Sequence, residues 1–492
     1  MFKAFANLLN RTGFSLSKKL GHKNSIHLIM AATALLLTGM GLIIGLSKFS
    51  PDSWAYFELS KTIFNSDFYR FNTFRSYYSN EYSTSFPFGY PIVIAVVSFF
   101  IGHTPIIAVA INIFLALVTC IILVDICKLQ KISALAGFTI ALSLLFFPAY
   151  LDEIFSGRSI PCAIFVFTLA YYLYLLRYPF FFGIFLGASA LIRFDFLVYS
   201  ILFQIIIIVL KPKQRRAWFT ALAGFSIGVF PWIVYSLSHF GKLWISDNSW
   251  VASSALPAFV LDYPAIPSVS VFQNPLMWMT RIISNIGPLL RSFFEAAIRF
   301  PAFVIFFFMI ISSWSSVEIK NIVLIIFFVS LASVAPYLLT GYFDSRYFSL
   351  IFICLTSTFV FALEKTKSQY LFGLNFFGSV FLSFILVILI AATYFSKAAW
   401  SSRYGVVSIA RQFDQIKKLN YCHKLDPQII YIFIKDAGGL APIYGAITGM
   451  RAAFIPSNFD KMNNREKSSY FEHMQPYLLI DSISQEEKCT RQ

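Results

Sequence analysis

Long apolar stretches alternate with short polar ones along most of this chain. A helix needs about 20 mainly apolar residues to cross a bilayer core. Segments near 28–47, 105–126, 132–150, 161–176, 180–192, 196–210, 217–238, 301–316, 321–341, 348–363 and 371–394 approach or reach that length. The pattern predicts about eleven membrane-spanning helices. Tyr90–Ile101 is apolar but too short to span, and it predicts a re-entrant or surface-lying helix. Three polar regions interrupt the series: a first loop at 49–104, a second at 239–300 and a tail at 397–492. The tail combines a helix-like pattern at Val406–Leu419, strand-like runs at Ile429–Ile434 and Tyr477–Ile480, and turns such as Gly438-Gly439. A small α/β domain is the expected result.

Composition strengthens this picture. Hydrophobic residues make up 58% and charged residues 13% of the 492 residues, and the mean hydropathy is +0.71. Soluble chains carry about 45–50% apolar and about 25% charged residues, so a soluble globular or disordered protein is excluded. The expected fold class is an all-α polytopic membrane protein with large outer loops and the small C-terminal α/β domain outside.

Charge gives the direction of threading. Lysine and arginine number 39 against 23 acidic residues, and the basic runs cluster in short loops: Lys128 and Lys131, Arg177, Lys211-Pro212-Lys213-Gln214-Arg215-Arg216, and Lys365 with Lys367. The positive-inside rule places these loops in the cytoplasm, together with the basic N-terminus at 1–27. The module at 28–396 then carries its large loops on the outer face, and 397–492 lies outside. A bacterial inner membrane is the expected location. Cys120, Cys127, Cys162 and Cys354 fall within apolar segments as packing residues, whereas Cys422 and Cys489 share the outer tail, where a bridge is open.

Few polar residues are placed to do chemistry, which makes those few conspicuous. Asp52 stands where the first span leaves the membrane, in Ser50-Pro51-Asp52-Ser53-Trp54-Ala55-Tyr56-Phe57-Glu58-Leu59. The apolar pattern of Trp54, Tyr56, Phe57, Leu59 and Ile63 predicts a helix lying on the interface. Asp52 reads either as a general base or metal ligand, or simply as the N-cap of that helix. Asp152 and Glu153 follow Pro148 at an outer helix end, with Arg158 shortly after. These form either a second acidic site converging with Asp52 or a solvated surface pair. Arg70, Arg75, Arg193 and Arg346 also sit at outer helix ends, where a guanidinium suits phosphate oxygens. Arg193 reads equally as a local partner of Asp195, and Arg346 as an interfacial anchor beside Tyr347. No His/Cys spacing fits zinc, no phosphate-binding loop fits nucleotide hydrolysis, and basic runs confined to inner loops argue against nucleic acid.

The order of these motifs resembles the GT-C superfamily of integral membrane glycosyltransferases, in particular the bacterial lipid A aminoarabinose transferases and protein O-mannosyltransferases. Pro51-Asp52-Ser53-Trp54-Ala55-Tyr56 and Phe86-Pro87-Phe88-Gly89-Tyr90-Pro91 resemble the acidic first outer loop and its closing segment. Asp152-Glu153 takes the place of the second acidic site. Ala190-Leu191-Ile192-Arg193-Phe194-Asp195, Pro231-Trp232, Phe240-Gly241, Asp247-Asn248 and Arg346-Tyr347 resemble later signatures. The likeness covers most of 28–350; Phe86 and Phe88 stand where prolines or a Lys-Pro-Pro element are common, so a lysine for the donor phosphate is missing.

The resemblance implies a transferase that moves a sugar from a polyprenyl-phosphate donor to a lipid, glycan or protein acceptor at the outer face, with inversion. It implies Asp52 as general base and Asp152 and Glu153 as the second acidic site. It also implies Arg75, Arg158, Arg193 and Arg346 on the phosphate, with Tyr56 and Tyr90 among the aromatic residues closing over the substrate. A divalent cation such as Mg2+ or Mn2+ is used by some superfamily members and not by others, and the sequence does not decide between them. The alternatives are a transporter or flippase, a polymerase of surface polysaccharide, and a non-catalytic scaffold.

Overall fold

The structure, a computed structural model, describes residues 49–64, 86–130, 134–145, 147–210, 215–244, 275–298 and 345–353. It also describes residues 68–69, 73–74, 82–83, 246, 338, 430–433, 452–454, 460, 462–473 and 477–480. The expected spans at 28–47, 301–316 and 371–394 lie outside these residues, as does 321–341 apart from Leu338, and so do Arg75, Cys354, Cys422, Cys489 and the pattern at 406–419.

The described helices are α1 (Pro51–Thr62), α2 (Gly89–Ile101), α3 (Ile106–Leu129), α4 (Ala134–Leu145), α5 (Pro148–Phe155), α6 (Ile160–Leu175), α7 (Pro179–Ile192), α8 (Asp195–Leu210), α9 (Arg215–Phe240), α10 (Pro275–Ile298) and α11 (Asn464–His473). Among them α3 and α9 are individually long and apolar enough to cross a membrane. A third span results if α5 and α6, bent by 111° at their junction, count as one. The short apolar helix expected near Tyr90 is α2, which at 13 residues is about 20 Å long and too short to span.

The helix boundaries depart from expectation at two places. The segment 132–150 is not one helix: α4 ends at Leu145 and α5 begins at Pro148, with Phe147 extended between them (φ −68°, ψ 118°). Proline lacks an N–H and pushes its predecessor out of the helical region, so it starts a helix more readily than it continues one. Within the polar region expected as a loop at 239–300 lies the 24-residue helix α10. Its Leu276, Met279, Ile283, Ile286, Leu290 and Phe294 form an exposed apolar stripe at helical spacing, which the interior Gly287-Pro288 disguised.

Close packing of the bundle depends on glycine. Gly183 and Gly187 of α7 face Gly224 and Gly228 of α9, two small-xxx-small pairs that bring the backbones together. A Cβ on Gly187 would stand 2.6 Å from the Phe225 carbonyl oxygen, and one on Gly228 2.6 Å from that of Ile184. In lipid no hydrophobic drive holds helices together, so this backbone contact supplies dispersion energy that larger residues would forbid. Beside it, fully buried Trp232 of α9 packs on Phe88, Phe194 and Tyr235, with ring centroids 4.9–5.5 Å apart.

α1 fills the space between two apolar clusters. Its Trp54 and Phe57 join Phe49, Tyr90 and Ile94. On another side Ala55, Leu59 and Ile63, spaced four apart, meet Phe88, Leu191, Trp232 and Tyr235. Residues Ser53 to Ser60 are all buried. The helix is therefore enclosed, not laid on the interface as its sequence suggested. A helix buried on several sides carries no amphipathic signal.

A four-stranded parallel sheet links the loop at 49–104 to the C-terminal region. Its strands are β1 (Thr73–Phe74), β2 (Ile430–Phe433), β3 (Ala452–Phe454) and β4 (Tyr477–Ile480), in the order β1-β3-β2-β4. Thr73 pairs with Ala452, and Ile430 with Tyr477. Strands β2 and β4 form within the two strand-like runs of the tail.

The glycine contact makes a prediction with an internal control. Gly187→Ala should destabilise the protein by about 1–3 kcal/mol, as over-packing does. Gly287→Ala, where nothing lies within 4 Å of the added methyl, should be neutral or stabilising by up to about 1 kcal/mol. Thermal unfolding in detergent, followed by tryptophan fluorescence, checks both; equal Tm values for the two variants would contradict the packing account.

Candidate active site

The site is organised by the turn between α5 and α6. α5 closes with a Schellman motif: the Arg158 N–H donates to the Glu153 carbonyl (3.1 Å) and the Gly157 N–H to the Ile154 carbonyl (3.3 Å). Gly157 adopts φ +71°, and a Cβ there would meet the Phe49 ring at 2.8 Å, so both conformation and space require glycine. The next residue, Ser159, is the N-cap of α6, yet its hydroxyl makes no capping bond. It instead lies 2.8 Å from the Tyr56 hydroxyl and accepts from Arg193 Nη1 at 3.3 Å.

The first turn of α1 docks onto this turn. Ser50 is the N-cap of α1: its Oγ accepts from the Ser53 N–H at 3.3 Å, and its own N–H donates to Ser53 Oγ at 3.2 Å. Asp52 is thus not the cap. It sits in the first helical turn behind Pro51, half-buried, where the helix dipole favours a carboxylate. Ser50, Ser53 and Tyr56 share one face of α1 and all reach the α5–α6 turn. Arg158 Nε donates to Ser50 Oγ at 3.0 Å, the Ser53 hydroxyl donates to the Ser156 carbonyl, and Tyr56 meets Ser159.

Arg158 also binds the second acidic pair, with Nη1 2.6 Å from Glu153 and 3.7 Å from Asp152. The two carboxylates differ in setting: the Glu153 side chain is 0% exposed, whereas that of Asp152 is 26% exposed. Glu153 is the buried partner of Arg158, and Asp152 keeps access to solvent. Arg193, at the end of α7, holds Asp195 at 3.0 Å and lies 5.3 Å from the centre of the Tyr347 ring. Burial pushes the Tyr56 phenol well above its ordinary pKa; Arg193 pulls it back, while Asp52 and Glu153 push it further up. Tyr56 therefore stays a neutral hydroxyl.

The sequence candidates are thus largely brought together. Tyr56, Asp152, Glu153, Arg158 and Arg193 are linked through Ser50 and Ser159, with Asp195 and Tyr347 at the edge, and Asp52 lies within electrostatic reach of Tyr56. Arg346 lies in the 3-10 turn Ser345–Phe348 beside Tyr347, its side chain outside the described residues. Tyr90 is fully buried, and its hydroxyl is 3.1 Å from the Gly157 carbonyl and 3.1 Å from Asn112 Oδ1, which ties it to the scaffold. Sequence reasoning passed over Ser50, Ser53 and Ser159. The Ser156-Gly157 dipeptide was the available signal for a turn there. Among the described residues no three His, Cys, Asp or Glu side chains are grouped to hold a metal ion.

Neither a protein-family model nor a curated protein matches the chain. Solved structures do. The crystal structure of ArnT from Cupriavidus metallidurans bound to undecaprenyl phosphate superposes with a TM-score of 0.54 at 11% identity. The match covers 91% of this chain and 90% of that one.

The contrast between the acidic neighbours is testable. Glu153→Ala strands Arg158 in a buried setting and should cost about 3–5 kcal/mol, whereas Asp152→Asn should leave the folded yield near normal. Detergent-solubilised Tm and monodisperse yield check this; an equal loss in both variants would contradict the assignment of Glu153 as the buried partner.

Proposed function

We propose that this chain, a multi-pass membrane protein with the GT-C fold it shares with ArnT, transfers a sugar from a polyprenyl-phosphate donor to an acceptor hydroxyl at the outer membrane surface. The observation that carries the reading is the convergence of Asp52, Asp152 and their arginine and tyrosine neighbours on one turn. Most of this charge lies on or beside the turn between α5 and α6, where the arginines and carboxylates pair with one another.

On this reading Asp52 is the catalytic residue. It takes the proton from the acceptor hydroxyl as the oxygen attacks the anomeric carbon. The bond from that carbon to the phosphate oxygen breaks on the opposite side, so configuration inverts and polyprenyl phosphate leaves. Asp152, the exposed member of its pair, orients the acceptor. Arg158 and Arg193 are already neutralised by Glu153 and Asp195. Charge developing on the departing phosphate therefore falls to another cation, and Arg346, adjacent to the Tyr347 that faces Arg193, is the residue we assign to it, with Arg75 as a second. Tyr56, held neutral, donates a hydrogen bond to the sugar or the acceptor. Phe86, whose ring centroid is 4.7 Å from that of Tyr56, helps exclude water that would compete as acceptor. No step here uses a metal ion.

A transporter has one observation on its side, the 111° break between α5 and α6, since broken helices mark many transport sites. Here the break is closed by a Schellman motif, and its charged side chains bind one another. We assign the outer loops and the tail to the periplasmic side of a bacterial inner membrane, with the N-terminus in the cytoplasm. Cysteines placed at Ser249 and Ser468 should then react with an impermeant thiol reagent only from outside; labelling from inside would overturn the orientation.

Purified protein in liposomes, given a panel of polyprenyl-phosphate sugars and a lipid and glycan extract, should release polyprenyl phosphate in an acceptor-dependent way. Asp52→Asn should lower the rate at least about a hundredfold with the fold intact. Release by the variant at the wild-type rate would remove Asp52 from the mechanism. Absence of release by the folded wild type with every donor would overturn the transferase reading.

A further inference from the structure

Asn112 lies on α3 less than two turns from its outer end, inside a membrane-spanning helix, and its side chain is fully buried. An amide in that position is costly unless its hydrogen bonds are made. Its Nδ2 donates to the Arg158 carbonyl at 2.7 Å and to the Glu153 carbonyl at 3.2 Å. Its Oδ1 accepts from the Tyr90 hydroxyl at 3.1 Å. Two carbonyls on one side and a hydroxyl donor on the other fix which way the amide points.

The two carbonyls are not arbitrary. That of Glu153 accepts the bond closing the Schellman motif, and that of Arg158 leads into Ser159. One side chain of α3 therefore grips both ends of the turn that carries Arg158 and Ser159. The single Tyr90 hydroxyl hydrogen is shared among Asn112 Oδ1, the Gly157 carbonyl at 3.1 Å and the Ala108 carbonyl at 3.3 Å, which places Tyr90 against the centre of the turn. Asn112 touches none of Asp52, Arg193 or the open face of Asp152 through any of these bonds; its influence runs through the backbone of the turn.

We propose that Asn112, braced by Tyr90, is a positioning residue for sugar transfer: it fixes the height of the α5–α6 turn on α3, and so the placement of the α1 first turn that carries Asp52. The role in transfer rests on the function proposed above, whereas the grip on the turn does not. Asn112→Asp keeps the volume and an acceptor for Tyr90 but aims a second oxygen at two carbonyls. Asn112→Leu removes both donor bonds.

Two measurements on the full-length protein in nanodiscs separate positioning from simple stabilisation. Hydrogen–deuterium exchange should show the Gly157 and Arg158 amides exchanging about ten-fold faster or more in both variants, as expected for two lost hydrogen bonds, with the α3 amides still protected. Steady-state release of polyprenyl phosphate, corrected for folded protein, should show kcat reduced about ten- to a hundredfold with the donor KM changed less than about three-fold. Tyr90→Phe should give a smaller loss of the same kind. Unchanged exchange in the turn would overturn the grip, and an unchanged kcat per folded molecule would overturn the positioning role. No release by the wild type would overturn the role in transfer together with the transferase reading, and exchange alone would then decide the grip.

Discussion

A carboxylate with no access to water must have a cation beside it, and Glu153 meets that requirement through Arg158 at 2.6 Å. Much of the site follows from this one pair. The Glu153 carbonyl closes the Schellman turn, the Arg158 guanidinium reaches across to the N-cap of α1, and the turn between them presents Ser159 to Tyr56 and Arg193. The pair needs a sharp reversal of the chain, which Gly157 permits at φ +71°. Removing the cation would leave a buried charge, and removing the glycine would take away the geometry that lets the cation arrive.

The helix bundle behind the turn supplies rigidity by close approach. The glycine pairs of α7 and α9 bring those helices together, and Trp232 of α9 then presses on Phe88 and Phe194. Phe88 leads into α2, whose Tyr90 reaches the turn, and Phe194 stands between Arg193 and Asp195. Packing on one side of the bundle thus constrains two of the segments that build the site. The loop at 49–104 has a further tie, because Thr73-Phe74 adds an edge strand to the C-terminal sheet.

How much of this the sequence shows depends on the kind of residue. Charges are rare in an apolar chain, so Asp52, Asp152, Glu153, Arg158 and Arg193 stood out; the last four meet around the α5–α6 turn, and Asp52 lies within electrostatic reach of Tyr56 beside it. Their roles within the group were less legible: neighbours in sequence such as Asp152 and Glu153 differ in burial because α5 turns one inward. Serines and asparagines occur in membrane helices for many reasons, so Ser50, Ser159 and Asn112 gave no signal. α1 misled because it is enclosed between two clusters, one meeting Trp54 and Phe57 and the other Ala55, Leu59 and Ile63, a situation periodicity does not distinguish from an interfacial helix. The break before Pro148 was written in the sequence and outweighed by the apolar length around it. The glycine spacing on α7 and α9 was equally visible, but only facing partners give it meaning.

On the proposed reading, a self-paired turn frames a phosphate site whose positive charge comes from elsewhere. Cryo-electron microscopy of the protein in nanodiscs with added polyprenyl phosphate tests it most directly. The account predicts phosphate density within about 3 Å of the Arg346 guanidinium, on the Asp52 side of the turn, with Arg158 still bound to Glu153. Phosphate bound by an Arg158 that has left Glu153, or seated away from the turn altogether, would contradict it.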